Sequence, residues 1–252
     1  MSGHSKWSTI KHKKGAKDKA RSKVFTKLIR ELTTAARNGE PDPAMNPRLR
    51  LAIQKSKSAN MPNDTIEKAI KRGSGAADGD DFTEGIYEGY GPGGVGVIVE
   101  ILTDNKNRTA SDIRHIFSKH GGSLGSPGSV SYNFSRVGQF IFARSKGSED
   151  EFMDHVLEAG ADDLLLEDEA SFEVVCAPDA FHEVSEYFRT KQISSEEADL
   201  ILKPNVKVAL DGQELLTMLK LLDALEDNDD VQKVFSSFDA TDADMERALS
   251  QL

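Results

Sequence analysis

The sign of the charge changes near residue 75 of this chain. Residues 1–75 hold 18 Lys and Arg against 6 Asp and Glu, a net charge of +12, whereas residues 76–252 hold 14 against 36, a net charge of −22. At the change, residues 73–81 read GSGAADGDD, a composition typical of a linker. A chain of 252 residues is long enough for two or three domains, and this linker predicts the first boundary between them.

The basic part of the chain predicts a polyanionic partner. Lys and Arg release condensed counterions from a phosphate backbone and gain affinity from that release. A solvated helical face is the alternative explanation, but a net charge of +12 within 75 residues is large for such a face. The charge pattern therefore favours contact with nucleic acid.

The apolar residues of the basic part recur with helical spacing. One helix is predicted through residues 24–36, where apolar side chains return every three or four positions. Asn46 before a proline predicts the N-cap of a second helix. A third helix is predicted to start at residues 62–64 and to end at Gly73, which we expect to be its C-cap. Residues 1–75 are therefore predicted to form a basic helical domain.

Beyond the linker the apolar pattern mixes the periods of strands and helices. From residue 137 to residue 202 it predicts the order βαββαβ. The elements are strand 138–143, helix 148–159, strand 162–167, strand 171–177, helix 178–190 and strand 196–202. The flanking elements, which join into a second βαββαβ set, are strand 95–102, helix 107–120, strand 129–134, strand 206–210, helix 211–225 and strand 231–238.

The predicted fold class is α+β, with an N-terminal three-helix domain followed by two ferredoxin-like α+β domains, one inserted in the other. The predicted domains are residues 1–75, residues 82–135 together with 205–240, and the inserted residues 136–204. A plain succession of two unrelated α+β domains is the alternative.

The composition of the chain indicates the cellular compartment in which the protein works. No apolar run approaches the ~20 residues of a membrane span, and the first residues lack the pattern of a secretory signal. The single cysteine, Cys176, excludes an internal disulfide and a cysteine-rich zinc cluster, and its apolar surroundings favour a small buried side chain. We therefore expect a cytoplasmic protein.

The first segment whose side chains could bind a ligand is the basic arm, residues 3–23, where Lys and Arg are interleaved with hydroxyl residues. Trp7 could stack on a base or pin the arm to the helical domain, and packing is the favoured alternative. His4 and His12 lack an acidic neighbour, so a solvated or phosphate-facing role is favoured over metal binding. The candidate phosphate-binding residues are Lys6, Lys11, Lys13, Lys14, Lys17, Lys19, Arg21, Lys23 and Lys27.

A glycine-rich run at residues 87–96 resembles a phosphate loop. Its glycines precede a strand, whereas a phosphate loop places them between a strand and a helix. A tight turn entering the sheet is the favoured interpretation.

Residues 103–122 follow a strand and open a helix, as an anion site requires. Lys106, Arg108 and Arg114 bring positive charge there, so this segment is the predicted second contact surface for nucleic acid. Asp104 with His115 and His120 could form an acid–base set, but the segment has no recognisable nucleophile or metal-ligand spacing. His120 is more simply explained as a helix C-terminal residue.

Three segments resemble the YebC family closely. They are GHSKWSTIKHKKGAKDKARSKVFTKLIREL, MPNDTIEKAIKRGSG and YEGYGPGGVGVIVEILTDNKNRTASDIRHIFSKHGGSLGSPGSVSYNF. The resemblance covers nearly the whole chain, with small departures such as Tyr132 where many relatives have Trp and Gly15 where Ala is frequent. It implies a helical N-terminal domain, two α+β domains, no enzymatic activity and no cofactor. From the spacing of the candidate ligands we also expect no metal site.

The resemblance leaves two roles open. In the first, the protein resembles a DNA-binding transcriptional regulator. In the second, it resembles a translation factor that binds ribosomal RNA on the ribosome and relieves stalling on proline-rich stretches. The sequence has no clear recognition helix and no dimer heptad, and a basic arm suits ribosomal RNA at least as well as duplex DNA. We expect a nucleic-acid partner and neither a membrane nor a small-molecule substrate.

Overall fold

The computed structural model describes Trp7 and residues 17–75, 82–168 and 170–252. For residues 17–21 it describes the backbone alone.

Residues 17–75 form three helices, as predicted. They are α1 (Lys17–Asn38), α2 (Pro47–Ser58) and α3 (Asn63–Gly73). The Asn46 side chain caps α2 by accepting from the amide of Leu49 at 3.0 Å, and it also donates to the carbonyl of Ala35 at 2.8 Å. Asn46 therefore starts α2 and fixes the connection to α1. The buried core of the unit consists of Leu32, Ala35, Ala36, Leu49, Ala52, Met61, Ile66 and Ala69.

Gly73 has a different role from the predicted C-cap. It is the last residue of α3, and Ser74 follows as the cap with φ of −70°. A Cβ atom on Gly73 would lie 2.2 Å from the carbonyl oxygen of Thr33. The glycine is needed because α1 and α3 approach each other closely at this point.

The first α+β unit is built on a four-stranded sheet of order β3-β1-β2-β9. Its strands are β1 (Thr83–Tyr90), β2 (Gly96–Thr103), β3 (Ser123–Leu124) and β9 (Val231–Ser236). Helices α4 (Lys106–Lys119), α7 (Gly212–Glu226) and α8 (Asp242–Leu249) contribute to the same core. The alternate residues Val97, Val99 and Ile101 of β2 enter that core, whereas Ile98 faces a smaller cluster that includes residues of the second unit.

The second α+β unit lies between β3 and β9 in the sequence. It contains β4 (Phe134–Ala143), α5 (Glu149–Ala159), β5 (Asp163–Leu165), β6 (Ser171–Cys176), α6 (Phe181–Thr190) and β7 (Glu197–Pro204). The sheet is antiparallel with order β5-β6-β4-β7, which is the strand order of a ferredoxin-like βαββαβ unit. The α+β class and the helical N-terminal unit are confirmed.

Two strands predicted for the first α+β unit are wrong. Residues 131–133 form a 3-10 turn rather than part of a strand 129–134. The predicted strand 206–210 is reduced to β8 (Val208–Ala209), which pairs in parallel with β10 (Phe238–Asp239) outside the four-stranded sheets. The place beside β2 belongs to β1, which no prediction anticipated.

β1 pairs with β2 because the two strands are close neighbours in the sequence. β1 and β2 are joined by a tight turn in which Gly93 and Gly94 have φ of 66° and 77°, so their pairing costs little chain entropy. The turn predicted for the glycine-rich run is therefore present. The domain boundaries 82–135, 136–204 and 205–240 stay predictions.

Candidate nucleic-acid interface

Most of the basic arm, residues 3–23, lies outside the described residues. Lys6, Lys11, Lys13 and Lys14, like His4 and His12, lie outside the described residues. Lys17, Lys19 and Arg21 belong to the first turns of α1, where the backbone alone is described. The contacts of these cations therefore remain predictions from the sequence.

Trp7 is packed inside the protein. Its side chain is 4% exposed and belongs to the core of the first α+β unit, and its indole N–H donates to Glu226 Oε1 at 3.2 Å. Packing was the favoured alternative, but the anchor differs from the expected one: Trp7 joins a core that contains α7 rather than the core of the helical unit. In this position its ring is not free to stack on a base.

Lys23 and Lys27 bind the C-terminal end of α7. Lys27 Nζ donates to the carbonyl of Glu226 at 2.6 Å. Lys23 Nζ donates to the carbonyl of Asp227 at 3.1 Å and forms an ion pair with its carboxylate at 2.7 Å. Cations are favoured at a helix C-terminus by the unpaired carbonyls and the helix dipole. These two candidates for phosphate binding therefore have partners inside the molecule.

Arg30 continues the same face of α1, because residues 23, 27 and 30 are one helical turn apart. Its guanidinium donates to the carbonyl of Asp229 and to the carboxylate of Asp230, both at 2.6 Å. The Asp230 side chain is 5% exposed and also accepts from Thr109 at 2.6 Å and from Arg108 at 3.2 Å. Asp230 thus joins the helical unit to α4.

The charge of Asp230 is stabilised by these donors. Burial alone would raise the pKa of this carboxyl, but hydrogen bonds from Thr109, Arg30 and Arg108 hold the pKa below its ordinary value. The buried group is therefore an anion that is matched by cations from two units.

The predicted second surface at residues 103–122 is only partly available to an anion. Arg108 is drawn to Asp104 at 2.6 Å and to Asp230. Asn105 caps α4 by accepting from the amide of Arg108 at 3.1 Å. Lys106 and Arg114 are exposed and form no ion pair with any other described residue. Arg108 thus differs from Lys106 and Arg114 because it already has carboxylate partners within the protein.

The structure does not assemble the acid–base set considered for this segment. Asp104 and His120 flank opposite ends of α4, about 20 Å apart at the rise of an α-helix. His120 is the C-cap of α4, and burial together with Lys119 and Lys220 lowers its pKa. Among the described residues, no group of three or more His, Cys, Asp or Glu side chains is placed to hold a metal ion.

Cys176 is buried, and that burial raises the pKa of its thiol to about 11. It behaves as a small apolar residue. Within the described part of the chain, the helices are too short or too polar to cross a membrane.

Sequence reasoning missed one set of cations on the helical unit. Its members are exposed and form no ion pair with other described residues: Lys57, Lys68, Lys71 and Arg72. Lys68, Lys71 and Arg72 share one face of α3, because they are three and four positions apart. The signal was present as the polar face opposite Ile66 and Ala69.

Other cations of the same unit are neutralised. Arg48 pairs with Glu31 and Glu84, and Lys55 pairs with Asp199 of the second α+β unit at 2.6 Å. The basic unit therefore has one group of cations with acidic partners and another group that faces solvent.

The fold and the surface charge define a class: a basic three-helix unit joined by salt bridges to two acidic α+β units. Residues 5–76 match the TACO1/YebC N-terminal domain, and residues 82–238 match the second and third domain of the same proteins. The chain belongs to the TACO1/YebC family.

Relatives match nearly the whole length of the chain. A probable transcriptional regulatory protein of Persephonella marina is 49% identical over 98% of this chain and 99% of its own. One of Idiomarina loihiensis is 51% identical over 96% and 97%. The crystal structure of a conserved hypothetical protein from Aquifex aeolicus is similar, with a TM-score of 0.81, 44% identity and coverage of 89% of this chain and 93% of that one.

Proposed function

We propose that the protein is a non-enzymatic regulator of gene expression that binds nucleic acid through its basic N-terminal part. The observation that carries this proposal is the separation of the cations. Lys23, Arg30 and Lys55 have acidic partners, whereas cations of α3 face solvent without an ion pair among the described residues. The names of the relatives as probable transcriptional regulatory proteins agree with it.

In this proposal the solvent-facing cations of α3 and the basic arm neutralise phosphates together. Lys106 and Arg114 extend the contact onto the first α+β unit. Each neutralised phosphate releases counterions, so the binding is strong at low salt and weak at high salt. The protein acts in the cytoplasm without a cofactor, a metal or a small-molecule substrate.

DNA is the first proposed partner, because the relatives carry names of transcriptional regulators. Ribosomal RNA is the second, with a role in relieving stalled translation on proline-rich sequences. The exposed face of α3 is compatible with this second partner: it carries Lys68, Lys71 and Arg72, and phosphate contacts of Lys and Arg position a backbone without reading bases. Recognition of that kind suits structured RNA as well as a duplex.

Crosslinking in living cells distinguishes the two partners. The protein is crosslinked, purified under denaturing conditions, and the attached nucleic acid is sequenced. Promoter DNA dominates if the first role holds, and ribosomal RNA dominates if the second one holds.

A pair of variants makes the test specific. Lys68→Glu with Lys71→Glu reverses two cations that face solvent, and Arg189→Glu with Lys191→Glu reverses two exposed cations that have acidic partners on α5 or α6. The first variant should lose most of the crosslinked nucleic acid and the second should keep it. Equal recovery from wild type and both variants would contradict the proposed surface.

A further inference from the structure

Part of the acidic region contains no acid at all. Residues 113–148 hold no Asp or Glu, although residues 76–252 carry a net charge of −22. The cations of this stretch are Arg114, Lys119, Arg136, Arg144 and Lys146. In its middle, residues 125–133 are uncharged, and we name them the Tyr132 loop. A polyanion meets less repulsion from this stretch than from the rest of the region.

The Tyr132 loop is held in place by a buried carboxylate. Glu88 of β1 is 8% exposed and accepts from the backbone amides of Gly128, Val130 and Ser131 at 2.7, 2.8 and 2.9 Å. Burial alone would raise the pKa of Glu88, but these amide hydrogen bonds hold it below its ordinary value. The hydroxyl of Tyr90 adds a hydrogen bond to the carbonyl of Ser129 at 2.8 Å.

The other end of the loop is fixed by Asn133. Its side chain donates to the carbonyl of Val206 and accepts from the amide of Val206, both at 2.8 Å. Its own carbonyl accepts from the amide of Asn205 at 2.8 Å. Val130 between these anchors is buried against Ile98. The loop thus has a defined conformation on both sides of Tyr132.

Tyr132 itself is bare. Its side chain is 79% exposed, and its ring stacks on no aromatic residue or cation among the described residues. A single exposed apolar side chain is ordinary, and Leu157 on α5 is nearly as exposed. Tyr132 differs from Leu157 because a buried carboxylate and a side-chain amide fix the loop that presents it.

We infer that Tyr132 is a stacking platform for an unpaired nucleobase, which the Tyr132 loop holds ready for binding. A rigid aromatic ring offers a flat surface to any base. The stretch of residues 113–148 adds no acidic side chain that would repel the phosphate backbone, and the one carboxylate in contact with the loop, Glu88, is buried and accepts from three amides. A base inside a duplex is already covered on both faces, so the ligand is a single strand or a loop with an unstacked base. This inference rests on the proposed function and adds the conformation of the nucleic acid.

The test compares full-length wild type with Tyr132→Ala, Tyr132→Trp and the control Leu157→Ala. Binding is measured to a short single-stranded oligonucleotide and to a blunt duplex of the same length. Loss of one base–aromatic stack should weaken single-strand binding by roughly 5- to 150-fold for Tyr132→Ala, with duplex binding unchanged. Tyr132→Trp and Leu157→Ala should bind the single strand like wild type.

Two further readouts separate stacking from a general loss of affinity. The salt dependence of Tyr132→Ala should equal that of wild type, because no charge is removed. In Tyr132→Trp, a base that stacks on the new exposed tryptophan should quench its fluorescence. The only other tryptophan, Trp7, is buried, so its fluorescence should not change on binding.

The outcomes distinguish this inference from the function on which it rests. If wild type binds neither oligonucleotide, the proposed function fails and the stacking role fails with it. If wild type binds but Tyr132→Ala binds equally well, or weakens single strand and duplex alike, the stacking role alone is refuted. The stacking role would also be refuted if the Tyr132 loop bound a protein partner and no nucleic acid.

Discussion

Replacing Asp230 by Ala tests how strongly the helical unit is held to the first α+β unit. The carboxylate is 5% exposed and accepts from Arg30 and Thr109 at 2.6 Å and from Arg108 at 3.2 Å. Its removal leaves the guanidinium of Arg30 in a mostly buried position without a counter-charge. Removal of one partner of a buried ion pair costs about 3–5 kcal/mol of folding free energy.

The expected loss for Asp230→Ala is somewhat smaller than that range. Arg30 keeps its hydrogen bonds to the carbonyls of Leu102 and Asp229, and Thr109 keeps the carbonyl of Asn105. Arg108 is about half exposed, so solvent replaces much of its interaction with Asp230. We therefore expect Asp230→Ala to lower the free energy of unfolding by about 2–4 kcal/mol.

Urea unfolding followed by tryptophan fluorescence measures this loss. Trp7 is the only tryptophan and lies in the core beside α7, so its signal reports on the affected unit. The matched control is Asp229→Ala, which removes a neighbouring exposed carboxylate but keeps the backbone carbonyl that Arg30 uses. The control should change the free energy of unfolding by no more than about 0.5 kcal/mol.

The pH dependence provides a second check of the same interaction. The pKa of Asp230 is lowered from the ordinary 3.8 by its donors, so the ionised group stabilises the fold at pH values above 3.8. This stabilisation is lost as the pH falls from 3.8 through the lower folded pKa, and Asp230→Ala should abolish this part of the acid-induced loss. Equal urea midpoints for Asp230→Ala and Asp229→Ala would refute the role of Asp230 in joining the two units. An acid transition in Asp230→Ala that equals the one in wild type would refute it as well.

Three other changes test the nucleic-acid proposal and the loop. Reversing Lys11, Lys13, Lys14 and Lys17 to Glu should abolish nucleic-acid binding, and unchanged affinity in a titration at fixed salt would disprove the role of the arm. If about five phosphates are neutralised, the plot of log affinity against log salt should have a slope of about −3.5 on single strands and −4.5 on duplex DNA, whereas a slope near zero would exclude a charge-driven contact. Glu88→Gln should loosen the Tyr132 loop and speed hydrogen exchange at its amides while leaving the salt slope unchanged; exchange as slow as in wild type would show that the carboxylate does not fix the loop.

Elements whose signals are local could be predicted from the sequence. The start of α2 depends on Asn46 and the proline after it, and both act within one turn of the helix. The βαββαβ order of the second α+β unit follows from the alternation within each strand and the apolar faces of α5 and α6. These signals do not depend on which distant segments become neighbours.

Strand pairing in the first α+β unit depended on distant choices. β1 contains Gly85 and Gly89, which weaken its strand signal, yet Gly89 is required because a Cβ atom there would lie 2.7 Å from the carbonyl oxygen of Ser123. The segment 206–210 has the composition of a strand but finds the place beside β2 already filled by a hairpin partner. A prediction based on separate segments had no means to rank these two partners.

The candidate site shows the same division between local and distant information. The excess of Lys and Arg in the first 75 residues is visible in the sequence, but the partner of each cation is not. Arg108 is predicted to contact an anion because it lies in the first turn of α4, and the sequence does not reveal its carboxylate partner Asp230, which is 122 residues away. Trp7 likewise meets Glu226 across 219 residues.

The cations of the helical unit fall into two groups, those that contact the first α+β unit and those that face solvent. Lys23, Lys27 and Arg30 form a single face of α1, and the segment of residues 226–230 places backbone carbonyls and carboxylates against that face. These contacts desolvate the cations and orient α1, so reversing their charge would weaken the junction of the units as well as any contact with phosphate. Cations such as Lys68 and Lys71 have no such structural duty among the described residues. Loss of nucleic-acid binding without loss of stability therefore assigns a cation to the interface, and loss of both assigns it to the junction.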